Sequence, residues 1–274
     1  MSIIEFFKSI LRAYRKNNGY TCDVCKREIF NYPIHRLCKN CEESLDKNNK
    51  KTCPKCGRNT VADGVCLDCK IKAPTFDVGV SSFIYRKKTA ALVNRIKNGD
   101  RRLSLYFGEQ TAKKFLEKLP TLKEEFPIRE EENSTPLWII PVPLTKERFL
   151  ERGYNQADDI AVCVVETLQE EGINAAFMPG IIQRKSGVDT QKRLNYKARL
   201  KNAEESYFIT DKKRCEGKSV VLVDDIMTTG ATGSACAKLL KKARVKTVYF
   251  LTVAAVEEQS IIKTDALLKN DSNE

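Results

Sequence analysis

Histidine is almost missing from this sequence: its 274 residues include one, His35, beside one tryptophan and three methionines. A three-histidine metal centre is therefore excluded, and a serine–histidine–acid triad would have to recruit His35 from among the cysteines. Long hydrophobic runs are also missing. No stretch of about 18 apolar residues occurs, so no helix is expected to span a membrane. The opening MSIIEFFKSILRAYRK carries Glu5 and Lys8 inside its apolar stretch and no small-residue cleavage site. That argues against a secretory signal and for a cytoplasmic chain. Ile3, Phe6, Phe7, Ile10, Leu11 and Tyr14 follow helical spacing instead, predicting an amphipathic helix within residues 1–19.

Positive charge and cysteine are present in excess. Lysine and arginine number 48 against 36 acids, a formal net charge of +12. Such a balance favours polyanions: a nucleic acid, a phosphorylated metabolite or an anionic surface. Of 11 cysteines, eight fall in four C-x-x-C pairs: Cys22/Cys25, Cys38/Cys41, Cys53/Cys56 and Cys66/Cys69. A C-x-x-C knuckle places two thiolates on one metal, and two knuckles make the closed tetrahedral site of structural zinc. Two Zn²⁺ ribbons are expected, Cys22/Cys25/Cys38/Cys41 and Cys53/Cys56/Cys66/Cys69. An interleaved pairing, a disulfide framework and a ribbon that has lost its metal are the alternatives. Gly57, directly after the third knuckle, suits the positive φ of a tight turn. A segment of this length has little apolar core of its own, so metal is expected to hold it together.

The domain boundaries follow: the N-terminal helix in 1–19, the double ribbon in 20–74, an α/β domain in 75–256 and a polar tail in 257–274. Strands are expected at Asp77–Tyr85, Leu137–Val142, Ala176–Gln183, Ser206–Ile209, Ser219–Asp224 and Thr247–Ala255. Helices are expected at Thr89–Lys97, Leu103–Leu119, Gln156–Leu168 and Ala231–Ala243. Strands such as SVVLVD are apolar almost throughout, as expected where both faces are buried. The alternation with helices predicts a parallel sheet flanked by helices on both sides.

The segment VVLVDDIMTTGATGS, Val220–Ser234, carries the most chemistry. A buried strand ends in two acids, Asp224 and Asp225, and the carboxyl end of such a strand is where open α/β sheets bind ligands. Thr228, Thr229 and Thr232 supply hydroxyls. Gly230 and Gly233 let backbone N–H groups approach an anion, and the following helix directs its positive end there, starting at Ala231. The carboxylates suit ribose hydroxyls. Neither a Walker loop nor a dinucleotide fingerprint is present.

This segment resembles the phosphoribosyl pyrophosphate (PRPP) motif of type I phosphoribosyltransferases: apolar strand, two acids, two residues, then T-G-x-T. Three further segments resemble the ComF (competence protein F) family. Ile139–Ala161 is similar to its pyrophosphate-side loop and helix, Phe83–Asp100 to its early helix, and Arg184–Ile209 to its hood. ComF proteins also carry four C-x-x-C pairs ahead of the transferase-like domain, so the resemblance runs from about Cys22 to Ala255. It implies the type I phosphoribosyltransferase fold, with the 5-phosphate on Thr228, Thr229, Gly230, Ala231 and Thr232. Asp224 and Asp225 would hold the ribose hydroxyls as the catalytic pair, with Mg²⁺ accompanying PRPP. Arg148, Arg152 and Gln156 are the candidates for the pyrophosphate side.

The family resemblance further implies natural transformation, single-stranded DNA and a competence DNA helicase as a partner. Basic runs with interleaved tyrosines, Arg86–Arg102 and Arg184–Lys201, suit a single strand. The residues expected there are Lys97, Arg101, Arg102, Lys192, Arg193, Lys197 and Arg199. The alternative is an active phosphoribosyltransferase on an unidentified base or amine, with no DNA role.

Overall fold

The computed structural model describes residues 21–30, 36–49, 51–61, 63–125, 135–185 and 205–258. The expected helix in 1–19 and His35 lie outside them, as do Lys192, Arg193, Lys197 and Arg199.

Two short helices close the ribbons, α1 (Lys39–Glu43) and α2 (Leu67–Ile71). Among the described residues the remaining helices are α3 (Lys87–Lys97), α4 (Arg102–Glu125), α5 (Lys146–Arg152), α6 (Gln156–Glu170), α7 (Lys212–Cys215) and α8 (Ala231–Lys242). Five strands form one sheet in the order β1 (Val78–Ile84), β7 (Thr247–Ala255), β6 (Ser219–Met227), β2 (Leu137–Pro141), β3 (Ala175–Phe177). Every pair in it is parallel. A separate antiparallel hairpin joins β4 (Ile182–Arg184) to β5 (Tyr207–Ile209).

Because side chains alternate across a strand, the sheet feeds two cores. Ile139, Val221, Val223, Tyr249 and Leu251 pack with α3, α4 and α6 on one face. Trp138, Ile140, Val220, Leu222, Val248 and Phe250 pack with α8 and the hairpin on the other. The ribbons divide in the same way. Cys22, Leu37, Cys41 and Leu45 belong to the first core, Cys53, Cys56, Cys66 and Cys69 to the second.

The chain between the ribbons lies along the edge strand β1. Asn48 N–H donates to the Ser82 carbonyl at 2.8 Å, and Ile84 N–H donates to the Asp46 carbonyl at 2.7 Å. An otherwise open edge is thereby paired. Gly57, at φ +73°, and Gly79 cross so closely that a Cβ on Gly79 would stand 2.4 Å from the Cys56 carbonyl oxygen. Only glycine fits there.

Four expectations are corrected. The single strand expected at Ala176–Gln183 is two strands in different sheets, divided by a turn at Gly180 with φ +77°. The strand expected to stop at Asp224 runs on to Met227, since β7 pairs with it through Ala255. A helix, α5, stands in the loop before Gln156; Thr145 caps it through the Arg148 N–H, and Gly153 ends it at φ +75°. The first residues of the expected polar tail are structural. Glu258 is buried and accepts from the Leu67 N–H at 2.6 Å, and Glu257 pairs with Arg86 at 3.2 Å.

Candidate functional site: a diacid, a phosphate loop and two four-cysteine clusters

The phosphate loop follows from local geometry. Strand β6 carries Asp224 and Asp225 to the carboxyl edge of the sheet, and Thr228 and Thr229 lead to Gly230. Gly230 is the N-cap of α8 and adopts the left-handed conformation, φ 74°. A Cβ there would be strained by φ alone. Gly233 meets a different need: its Cβ would lie 2.6 Å from the Phe250 ring, so its absence lets α8 settle onto β7.

The two acids differ. Asp225 is buried, with its Oδ2 3.0 Å from Lys97 Nζ and 3.4 Å from Gln156 Nε2. Asp224 accepts the Asp225 backbone N–H at 2.9 Å. Burial, followed by the charge of Asp225, pushes the Asp224 carboxyl well above the usual carboxylate range, while Lys97 opposes the shift. Arg152 Nη1 donates to Gln156 Oε1 at 3.0 Å, so a polar relay runs Arg152–Gln156–Asp225–Lys97. Arg152 and Gln156 thus stand at the diacid. Arg148 sits on α5 with its N–H capped by Thr145, and its guanidinium is not part of that relay.

A cavity of about 510 Å³ opens between the loop after β2 and the hairpin. Pro143, Thr145, Phe149, Asn155, Asp158 and Arg184 line it. Burial lifts Asp158 to about 7, against the hydrogen bond that Asn155 donates at 2.8 Å.

The basic run Arg86–Arg102 does not form a free cationic face. Lys97 faces Asp225. Arg101 holds Asp159 with two bonds, at 2.7 and 2.5 Å, and lies over the Tyr154 ring. Its side chain is 13% exposed and turned to the interior. Arg102 stands 3.5 Å from Asp100. The pairings of Lys97 with Asp225 and of Arg101 with Asp159, far off in sequence, are what spacing within the run could not reveal. Lys97 is accordingly a site residue of another kind than expected.

The eight cysteines form two separate clusters, Cys22/Cys25/Cys38/Cys41 and Cys53/Cys56/Cys66/Cys69, with the sulfurs of each within 4.8 Å of one another. The interleaved pairing is not adopted. Cys25 and Cys38 sulfurs stand 3.6 Å apart, and Cys56 and Cys66 sulfurs 3.7 Å. Those separations exceed a disulfide bond of about 2.05 Å and suit the edge of a tetrahedron with Zn–S near 2.3 Å. All eight are free thiols, so both clusters fit a zinc ion. Two tetrathiolate zinc sites, each of net −2, would lower the formal +12 to about +8.

The second ribbon reaches the phosphate loop. Arg58 Nη2 donates to the Thr228 carbonyl at 3.0 Å, and Nη1 donates to Asp68 at 2.5 Å. Sequence reading missed Arg58, which stands far from the loop along the chain and in no recognisable motif.

Comparison with known proteins places these features together. A family model described as the phosphoribosyl transferase domain matches residues 173–266. Competence protein ComFC of Bacillus subtilis is 26% identical over 246 residues, 86% of this chain and 92% of that protein. Competence protein F of Haemophilus influenzae is 28% identical over 235 residues, 83% and 86% of the two chains. DNA utilization protein YhgH of Escherichia coli O157:H7 is 26% identical over 213 residues, 77% and 87% of the two chains. Among solved structures, Trypanosoma cruzi hypoxanthine phosphoribosyl transferase is 13% identical, covering 57% of this chain and 66% of that one, with a TM-score of 0.36.

Proposed function

We propose that this relative of the ComF competence proteins, an α/β chain of the phosphoribosyltransferase fold with an N-terminal double zinc ribbon, binds PRPP and handles single-stranded DNA in natural transformation. The observation that carries the PRPP reading is one continuous piece of structure. A buried strand delivers two adjacent acids to the sheet's edge, and a Thr/Gly loop then opens a helix.

In this reading the N–H groups at the start of α8 and the hydroxyls of Thr228, Thr229 and Thr232 receive the 5-phosphate, where the helix dipole favours an anion. Asp224 and Asp225 accept from the ribose 2′- and 3′-hydroxyls. Arg152 and Gln156 face the pyrophosphate, with Arg148 as a further cation on α5. Mg²⁺ bound with PRPP would neutralise pyrophosphate oxygens and needs few protein ligands. Lys97 offsets the charge of the diacid.

Titration of PRPP–Mg²⁺ on the wild-type chain and on Asp225→Ala tests the site. The substitution is expected to weaken binding at least about tenfold, since it removes a charged hydrogen-bond acceptor for a ribose hydroxyl. Unchanged affinity in the variant rejects the assignment.

The DNA reading draws on the competence and DNA utilization names of the relatives. It also draws on the second basic run, with Lys192, Arg193, Lys197 and Arg199. Turnover of PRPP is the second reading, and the 510 Å³ cavity between the loop after β2 and the hairpin favours it by offering room for a base or amine. Pyrophosphate release on adding an acceptor would establish it.

A further inference from the structure

The guanidinium of Arg58 joins three parts of the molecule. It lies two residues past Cys56 and against that residue's sulfur. Nη1 reaches Asp68, between Cys66 and Cys69, and Nη2 reaches the Thr228 carbonyl. The residue is 4% exposed. Both knuckles of the second cluster and the first residue of the phosphate loop thus share one planar, rigid cation. Between ribbon and loop there is a cavity of about 250 Å³, lined by Arg58, Asp68, Thr229 and Gly230 among others. The loop is therefore loosely packed on that side, and the Arg58 bond is a polar tie across the gap.

This tie has a directional effect. The peptide bond is planar and trans, so its C=O and N–H point in opposite directions. With the Thr228 carbonyl turned onto the ribbon, the Thr229 N–H points away from it. Gly230 then turns the chain into α8. A loop set in this way has less ordering left to do when the phosphate arrives.

We propose that Arg58 is a positioning residue of the phosphate loop, and that PRPP affinity is thereby coupled to the integrity of the Cys53/Cys56/Cys66/Cys69 cluster. The inference rests on the PRPP reading above and adds the ribbon to the same site. Linkage makes the coupling reciprocal: whatever factor the intact cluster contributes to PRPP affinity, bound PRPP returns to the cluster. The first cluster is held instead to α3, where Arg95 donates to the Asp23 and Val24 carbonyls at 3.2 and 3.5 Å, and serves as the comparison.

The test uses the full chain loaded with zinc. PRPP–Mg²⁺ titrations on wild type, Arg58→Met, Arg58→Lys and Asp68→Asn are paired with metal content and thermal melting. Arg58→Met is expected to lose about tenfold in affinity with both metals retained. Arg58→Lys keeps the charge without the fork and is expected to recover part of that loss. Asp68→Asn, which weakens the hold on Arg58, is expected to lose less than Arg58→Met. In parallel, thiol alkylation under a zinc chelator, mapped by mass spectrometry, should show PRPP protecting Cys53, Cys56, Cys66 and Cys69 but not Cys22, Cys25, Cys38 and Cys41. If Arg58→Met fails to fold, Asp68→Asn and the alkylation arm decide.

No PRPP binding by the wild type overturns the PRPP reading and this inference together. Binding that is lost in Asp225→Ala but unchanged in Arg58→Met, or protection that is equal at both clusters or absent from both, overturns this inference alone.

Discussion

Asp158 and Asp224 show how placement decides the behaviour of a carboxyl group. Burial lifts Asp158 from 3.8 to about 7. Across that window the folded chain keeps a proton that the unfolded chain releases, so stability falls as pH rises and levels off above it. Asp158→Asn, which keeps the shape and loses the charge, is expected to raise Tm at pH 8 by about 2–4 °C. The gain should shrink to nothing near pH 4, and melting curves across that range check it. Asp224 is raised by burial and by Asp225. A cation-bearing ligand needs it ionised, so PRPP–Mg²⁺ affinity is expected to increase with pH as Asp224 loses its proton. Asp224→Asn should bind more weakly and lose that dependence in the same titration. Neither environment was legible in the sequence. Asp224 itself was, whereas Asp158 was not singled out, and the burial of both comes from residues that only the fold brings near.

At the scale of elements, the strands of the main sheet were the most legible parts. β2, β7 and the first half of β6 are near-continuous apolar runs, as a strand buried on both faces is expected to be. The reading failed where apolar residues continued while the backbone turned. At Ala176–Gln183 the residues Phe177, Met178, Ile181 and Ile182 gave no interruption in hydrophobicity, and the break lies in Pro179 and Gly180. Helix α5 was hidden for the opposite reason: Phe149 is 47% and Leu150 72% exposed, so the helix has no apolar face turned inward to set a period. The crossing of Gly57 and Gly79 is a contact between elements that a sequence cannot announce. Gly79→Ala would drive a methyl group into the Cys56 carbonyl. It is expected to cost about 1–3 kcal/mol or more, seen as a lower melting temperature together with faster alkylation of the second cluster. Normal melting and normal alkylation would mean the crossing relaxes freely.

For the whole molecule, the net charge of +12 proved a poor guide to location. Much of the run 86–102 is engaged within the fold, by Asp225, Asp159 and Asp100. The proposed strand contact then depends on Lys192, Arg193, Lys197 and Arg199. Each phosphate contact on a single strand contributes about −0.7 to the slope of log affinity against log salt. Replacing Lys192 and Arg193 by alanine should flatten that slope by about 1.4 in oligonucleotide binding, whereas Arg101→Ala should leave it unchanged and lower the melting temperature. An unchanged slope in the double variant would remove this run from the DNA reading. The strand–diacid–Thr/Gly loop segment and both four-cysteine clusters were legible because each is contiguous in sequence. Lys97 and Arg58 were not, since tertiary packing brings them to the site.

The segment 46–48 that lies along β1 also bears on the order of synthesis. The ribbons leave the ribosome before any strand of the main sheet, and β1 follows them at once. Its other neighbour, β7, is the last strand to be made. Throughout the intervening translation β1 would offer an apolar edge to other nascent chains, a recognised route to misassembly. The segment held between the two four-cysteine clusters can occupy one side of that strand from the start. A cell short of zinc would then face a folding defect in the sheet, beyond the two clusters themselves.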